Sequence, residues 1–464
     1  MLRNRGWPDA VAAEINSTNE IMRTRMAAEA TPSDAVPVRS GRSSLVALMI
    51  AIAAATSMWF YVDRILVGHQ MADAAAHDYP RGNLSDLYPR WLGARELLLH
   101  HRNPYGDDIT LEIQKGYYGR EIDPSRPDDP KDRQGFAYPV YVVFLLAPLI
   151  KLPFHDVQIF FHWLLVGVTA ASVAWWLRVL RLRWPFTAIA IAAALTLGSV
   201  PAVQGIKLQQ VSLLVAALLA GSAACVSCGF LFCGGALLAL ATIKPQLAGL
   251  PCAWLLLWTL ADWQARRRLA FGFAAIMALL LFGAEIVLPG WWKMFAVALG
   301  QYHRYTQNAS VLDQLVPWGF AGKILAGIAV FASAAVLWSL RTVAAGAREF
   351  GQATALVMAL TVLVVPMYAP YNQVLLVPAI LALLRESRLL DSHSRGFRFG
   401  YLAGAFALAW QWMASLTLCA IYLLASRALA LEGWKWPFFS TFALPVLIFA
   451  LILAETRNGV KEAG

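Results

Sequence analysis

Two charged residues, Asp86 and Lys244, lie at the boundaries of apolar segments, where a charge either takes part in function or is energetically unfavourable. Asp86 follows Ser85 in Ser-Asp-Leu-Tyr-Pro-Arg-Trp, a pattern that predicts a helix start with Ser85 as its cap and Asp86 in the first turn. Asp86 then either favours the helix dipole and pairs with Arg90, or lies at an apolar boundary where a phosphate group could also lie. Lys244 ends an apolar run, where its ammonium group needs an anion or water, or else extends toward the interface.

The composition places most of the chain in lipid. Hydrophobic residues make up 59% of 464 positions, charged residues only 14%, and the mean hydropathy is +0.56. A water-soluble core could not bury so much apolar surface, and many of the eighteen tryptophans lie near the ends of apolar runs, as in interfacial belts. The basic residues form short clusters between these runs, which favours loops facing anionic lipid and argues against nucleic acid as a partner.

The chain divides into a tail, a membrane domain and a second tail. Residues 1–42 predict a disordered cytoplasmic tail without a secretory signal pattern, because the first apolar run begins near Leu45. Residues 43–455 predict the membrane domain, and 456–464 a cytoplasmic tail. The first long polar segment, 67–135, holds nine Lys and Arg against twelve Asp and Glu, a net charge of −3 that leaves +13 elsewhere. This segment is predicted to be an extracytoplasmic loop, as is 290–318.

The apolar runs predict an all-α polytopic protein with about twelve spanning helices, in the range of about 11 to 13. The count depends on residues 136–154, which contain Pro139, Pro148 and Pro153. That run either enters and leaves the membrane on one side, which places both chain ends in the cytoplasm, or it spans and leaves the Arg178 cluster outside. The positive-inside rule favours the first alternative.

A helix within the first loop is predicted to be amphipathic and to lie beside the membrane. Trp91, Ala94, Leu98 and Leu99 follow one face, while Arg90, Arg95 and Arg102 follow another. Asn-Pro-Tyr-Gly at 103–106 is expected to end it.

The first loop resembles that of glycosyltransferase family 87, a group of polyprenyl-phosphate-mannose-dependent enzymes of the GT-C superfamily. The similarity begins with Asp-Leu-Tyr-Pro-Arg-Trp-Leu-Gly-Ala-Arg-Glu-Leu-Leu-Leu-His-His-Arg-Asn-Pro-Tyr-Gly at 86–106. Phe-Ala-Tyr-Pro at 136–139, Lys-Leu-Gln-Gln-Val-Ser at 207–212 and Ile-Lys-Pro-Gln at 243–246 follow in the family's order. Gln209 stands where the family usually has glycine, and Val140 where a second proline is common.

The resemblance implies a GT-C-like fold and an inverting transfer of a hexose, with mannose as the expected sugar. The donor would be a polyprenyl-phosphate sugar, and the acceptor a hydroxyl of a glycan or glycolipid at the extracytoplasmic face of a bacterial cytoplasmic membrane. Asp86 occupies the position of the catalytic base, with Asp78 as the alternative. A base is needed because a sugar hydroxyl is a poor nucleophile until its proton is accepted.

The departing phosphate needs fixed donors at the membrane boundary. Lys244 and Gln246 are the first candidates, and Lys207, Gln209 and Gln210 are weaker ones. The second loop adds His303, Arg304 and Asn308, which could bind phosphate or acceptor hydroxyls, although an ordinary interfacial aromatic loop has the same composition. The remaining candidate substrate-binding residues are Tyr138, Tyr371 and Asn372.

No metal or other cofactor is expected, because the first loop has no Asp-x-Asp pair and a donor without a nucleotide does not require one. The five cysteines lie in or beside apolar runs and predict core packing. Membrane lipids are the expected surroundings of a monomer. A transporter or flippase is the alternative function. The absence of an evident two-half repeat, and the concentration of ionisable residues in one loop, favour an enzyme.

Overall fold

The computed structural model describes residues 41–77, 85–123, 125–126, 129–130, 132–306, 309–366, 368–386, 390 and 393–463. Helices account for 80% of the structure, and the described residues contain no strand. The all-α prediction is therefore confirmed, as expected for apolar runs whose backbone groups must find their partners within each segment. Asp78 and Asn308 lie outside the described residues.

The first half of the chain leads from a long helix through the polar loop into a series of shorter helices. A π-helical turn, Tyr61–Leu66, joins α1 to α2, and a 3₁₀ turn, Ala147–Leu149, follows α5. The helices are α1 Gly41–Phe60, α2 Val67–Ala76, α3 Tyr88–His100, α4 Asp107–Tyr118, α5 Val142–Leu146, α6 Phe154–Val179, α7 Phe186–Leu197, α8 Val200–Lys207, α9 Val211–Ser227 and α10 Leu231–Ala241.

In the second half, long helices alternate with buried shorter ones. A 3₁₀ segment, Pro370–Leu376, leads into α17, and another, Gly433–Phe438, follows α19. The helices are α11 Pro245–Leu260, α12 Trp263–Val287, α13 Trp291–Thr306, α14 Val311–Leu315, α15 Ala321–Leu340, α16 Arg348–Val364, α17 Val377–Glu386, α18 Arg395–Leu424, α19 Arg427–Glu432 and α20 Ala443–Ala463.

Six helical segments in the described part of the chain are long and apolar enough to cross a membrane. A seventh crossing is possible if α7 and α8, bent by 59° at their junction, form one broken span. Four more apolar helical segments are only 10–17 residues long. The chain is therefore a multi-pass membrane protein. The long segments are Arg42–Ala76, Phe154–Val179, Trp263–Val287, Ala321–Leu340, Arg395–Leu424 and Arg427–Val460.

The proline-rich run at 136–154 forms no spanning helix. Its helical part is the five-residue α5 and the short 3₁₀ turn after it, and Val142 and Leu146 are fully buried. The run stays close to the first loop, since Trp91 Nε1 donates to the Leu149 carbonyl at 3.4 Å. This geometry agrees with the alternative in which the run enters and leaves on one side.

The first long helix continues past the charged residues Asp63 and Arg64, through the π-helical turn, to Ala76. Two local predictions at the start of α3 need correction. Helix α3 begins at Tyr88, so Asp86 precedes it instead of occupying its first turn, and Ser85 does not cap it. A tertiary contact accounts for the later helix start, since the Asp86 N–H donates to the Leu208 carbonyl at 2.9 Å.

Helix α3 is also less amphipathic than its sequence suggests. Trp91, Ala94 and Leu97 lie in the main hydrophobic core, so the helix is packed into the protein instead of resting on its surface. It ends as expected before the 103–106 turn, with His101 in the left-handed conformation. Arg102 joins the turn to α4 by ion pairs with Glu96, Asp108 and Glu112.

A buried arginine joins the ends of α11 and α15. The Arg266 side chain is only 6% exposed, and its guanidinium carbon lies 3.9 Å from the centre of the Trp258 ring. The guanidinium satisfies carbonyls that a helix end leaves without a partner. It donates over 2.6–3.0 Å to the carbonyls of Trp258, Arg341, Thr342 and Val343.

Replacing Arg266 by glutamine is expected to lower the free energy of unfolding by about 2 kcal/mol, because several buried carbonyls lose their donor. Thermal unfolding of the purified protein in detergent would show this as a lower Tm. Arg267→Gln is the matched control, since Arg267 is an exposed neighbour. Equal Tm values for the two variants would contradict this role of Arg266.

Candidate active site

A cavity of about 500 Å³ lies where the first loop meets the turns between the central helices. Asp86 contributes from the first loop, and Phe295 from α13 in the second polar segment, so both segments reach the same space. Its polar and charged lining residues are Asp86, Arg90, Asp132, Gln134, Tyr138, Gln210, Lys244, Gln246, Tyr302, Tyr368 and Tyr371.

The Asp86 carboxylate is held by two neutral donors. Tyr117 Oη on α4 donates to Oδ1 at 3.2 Å, and Gln210 Nε2, just before α9, donates to Oδ2. The backbone bond from Asp86 to Leu208 fixes the same segment from behind. The carboxylate is thus oriented without an ion pair, so its oxygen lone pairs are available to a hydroxyl group that enters the cavity.

Gln210 connects this carboxylate to a buried ammonium group. Its Oε1 lies 3.5 Å from Lys244 Nζ, which also donates to Ser212 Oγ at 2.5 Å. The Tyr371 ring centre lies 5.2 Å from Nζ. Lys244 is only 5% exposed, and in the part of the chain that the structure describes it forms no ion pair with an acid. A buried ammonium group with neutral partners only is suited to an anion brought by a ligand.

Arg90 supplies a second cation. Its Nη1 donates to the backbone carbonyl of Asp86, and its guanidinium carbon lies 4.3 Å from the centre of the Tyr138 ring. Its buried Nε has no hydrogen-bond partner among the described residues. The i, i+4 spacing left open an ion pair with the Asp86 side chain, but Arg90 binds the main chain instead. Its charge therefore also remains available to an anion in the cavity.

The surroundings of Asp86 shift the pKa of its carboxyl. Burial raises the pKa of the Asp86 carboxyl above its ordinary value, while the charges of Arg90 and Lys244 and the Tyr117 hydrogen bond oppose this rise. The upward effect dominates. A carboxylate with a raised pKa holds an accepted proton more firmly, which suits general base catalysis.

The turn between α8 and α9 explains one departure from the family pattern. Gln209 has φ +47°, the left-handed conformation that glycine adopts without strain. Its side-chain amide donates to the carbonyls of Ile206 and Lys207, at 3.0 and 2.9 Å, which secures the turn locally. Gln209 does not line the cavity, whereas Gln210 does, so the turn still presents one glutamine to the site.

Six of the residues singled out from sequence line this cavity: Asp86, Tyr138, Gln210, Lys244, Gln246 and Tyr371. The other described candidates lie elsewhere. Arg304 is exposed on α13, and Lys207 pairs with Asp63 at 2.6 Å. Asn372 is buried behind the cavity, with no partner for its Oδ1 among the described residues. His303 belongs to α13, and its side chain lies outside the part of the structure that is described.

Sequence reasoning missed three polar lining residues. Arg90 was considered only as a partner of the Asp86 side chain, and Asp132 and Gln134 lie in a polar stretch without a motif. Tyr302 from the second loop and Tyr368, which lies close to Tyr371 in sequence, line the cavity as well. Asp132 accepts from the Gln134 N–H at 3.0 Å and from its side-chain amide at 2.8 Å. Of these residues, only Arg90 could have been recognised from the sequence, because its spacing of four residues from Asp86 places the two side chains close together on a helix.

The fold and the site together define a multi-pass membrane protein with a polar cavity that pairs an oriented carboxylate with two cations. Residues 136–366, half of the chain, match the model of glycosyltransferase family 87. The chain belongs to this family, and it is therefore a membrane glycosyltransferase. The matched region includes Lys244 and Gln210 but begins after Asp86. Because the chain belongs to this family, the enzyme alternative holds and the transporter alternative does not. No curated protein and no solved structure matches the chain.

Proposed function

We propose that this glycosyltransferase moves a hexose, with mannose as the first candidate, from a polyprenyl-phosphate donor to a hydroxyl group of a glycan or glycolipid. One observation supports this most directly. Asp86, Lys244 and Arg90 line a single cavity, and in the described structure neither cation is neutralised by an acid. This is the charge arrangement that a phosphate leaving group and a hydroxyl nucleophile require.

The reaction would be a single displacement. The acceptor oxygen attacks the anomeric carbon, the bond from that carbon to the phosphate oxygen breaks, and the hydroxyl proton passes to Asp86. The bonding electron pair leaves with the polyprenyl phosphate, whose charge Lys244 and Arg90 would meet. Because no covalent intermediate is formed, the configuration at the anomeric carbon inverts.

We further propose about twelve membrane crossings, with the cavity at the extracytoplasmic face of a bacterial cytoplasmic membrane. Cavity residues Gln210 and Lys244 lie at helix ends opposite to those of Arg178, Arg266 and Arg348. The positive-inside rule places such arginines in the cytoplasm. The crossings would be α1 with α2, α6, α7 with α8, α9, α10, α11, α12, α15, α16, the Pro370–Leu376 turn with α17, α18, and α20.

The test is a transfer assay with purified protein and three radiolabelled donors: polyprenyl-phosphate mannose, glucose and arabinose. We expect label from one donor to enter a glycan or glycolipid fraction without added metal, and we expect Asp86→Asn to abolish most of this transfer. Transfer from a nucleotide sugar, with none from any polyprenyl-phosphate sugar, would contradict the proposed donor class.

A further inference from the structure

A second polar cavity lies at the end of the helices opposite the catalytic cavity. Its volume is about 350 Å³, and Arg178, Arg181 and Arg183 line it with Ser227. The three guanidinium groups are exposed, and in the described part of the chain none of them forms an ion pair. The ion pairs at this end, Asp262 with Arg266 and Glu455 with Arg348, involve other arginines. Three positive charges thus converge without an internal counter-charge.

An apolar groove of about 410 Å³ adjoins this cavity, and Arg178 lines both. The groove runs between α6, α9 and α10, from Val168 to Arg178 on one side and from Leu214 to Cys228 on another. At the helical rise of 1.5 Å per residue, these sides are about 15 and 21 Å long, whereas half of the hydrocarbon core is about 15 Å. The groove is therefore long enough to cross one lipid leaflet, with the arginines at its polar end.

Gly221 lines the groove at a point where a side chain would have little room. A Cβ at Gly221 would lie 3.3 Å from Leu237 and 3.8 Å from the Trp175 ring. Trp175 and Phe230, at 37% and 65% exposed, form part of its wall. The walls are apolar along most of the groove, and among the described residues that line it Arg178, at one end, carries the single charge.

We propose that the two cavities together bind one anionic glycerophospholipid, with its phosphate headgroup on the three arginines and an acyl chain along the groove. Net negative charge is favoured because basic residues near the headgroups attract anionic lipid. A zwitterionic headgroup would bring its own cation into the arginine cluster. The lipid would join α6 to α9 and α10, whose opposite ends border the catalytic cavity.

Native mass spectrometry of the full-length protein would test this with dioleoyl phosphatidylglycerol and dioleoyl phosphatidylcholine, which have identical chains. We expect preferential retention of one phosphatidylglycerol, with occupancy reduced at least about fivefold by Arg178→Gln with Arg181→Gln. The matched control is Arg267→Gln with Arg268→Gln, which removes two exposed charges at the same end. Equal retention of the two lipids, or an equal loss in the control, would overturn the proposal.

Thiol labelling provides a second measurement that does not depend on the arginine variants. Cys228 is exposed and lines the groove, so a chain that retains only this cysteine reports on occupancy. Phosphatidylglycerol is expected to slow maleimide labelling of Cys228 several-fold, whereas glycerol phosphate, which has no acyl chain, should not. Protection by glycerol phosphate alone would overturn the acyl-chain assignment. Displacement of phosphatidylglycerol by equimolar polyprenyl phosphate would overturn the assignment to a glycerophospholipid.

Discussion

Replacing Asp86 by asparagine is expected to lower the turnover of sugar transfer by at least about 100-fold, equivalent to roughly 3 kcal/mol of transition-state stabilisation. The amide keeps the shape of the side chain and one oxygen that can accept from Tyr117 or Gln210. The variant should therefore fold, with a Tm near that of the wild type, and should lose only the proton acceptor. Steady-state kinetics with a saturating donor would measure the loss.

Asp107→Asn is the matched control, because this carboxylate belongs to the same loop but is 85% exposed. The pH profile gives an independent readout. Since burial raises the pKa of Asp86, activity should fall on acidification at a pH above the ordinary aspartate value of about 3.9. A purified Asp86→Asn enzyme with near wild-type turnover would exclude Asp86 as the base and transfer the role to Asp132, or to Asp78.

Replacing Lys244 by methionine is expected to lower kcat/KM for the donor about 10- to 100-fold, the range for loss of a hydrogen bond to a charged group. The Tm should stay equal or rise, because the ammonium group is buried and its hydrogen-bond partners Gln210 and Ser212 are neutral, so its burial costs free energy. This combination of lower activity with undiminished stability is typical of a binding residue.

Lys207→Met provides the comparison, since Lys207 belongs to the α8–α9 turn but pairs with Asp63 and does not line the cavity. Its loss should leave kcat/KM for the donor within about twofold, as expected for an exposed ion pair. If Lys244→Met instead lowers the Tm by several degrees while donor use is unchanged, Lys244 is a structural residue.

Sequence analysis identified cavity-lining residues most readily where a charged residue stands beside an apolar segment. Lys244 beside an apolar run, and Asp86 in a motif at a loop boundary, were recognisable because a charge there needs a reason. Local helix rules failed at the same place: Ser85 and Asp86 have the composition of a helix start, but the bond from Asp86 to Leu208 connects residues far apart in sequence and moves the start to Tyr88. No local pattern contains that bond.

Contacts between distant segments also explain the residues that were misassigned. Helical spacing left the Asp86 side chain open as a partner of Arg90, whereas in the structure the guanidinium lies over the ring of Tyr138, from the segment after the loop, and binds the Asp86 main chain. Arg304 satisfied the chemistry of phosphate binding but lies on an exposed part of α13. Charge and residue type identified the candidates, and only the packing of the loops could choose among them.

Gln210 contacts both Asp86 and Lys244, and the proximity of these two charges bears on the order in which the substrates bind. Lys244 lowers the pKa of Asp86, so its positive field weakens the base while the donor is absent. A phosphate bound at Lys244 would offset that field, and Asp86 would become more basic at the moment when a sugar is in place to receive the nucleophile. Acceptor hydroxyls that enter first would meet a weaker base. The enzyme would then favour an ordered reaction in which the lipid-linked sugar binds before the acceptor is activated.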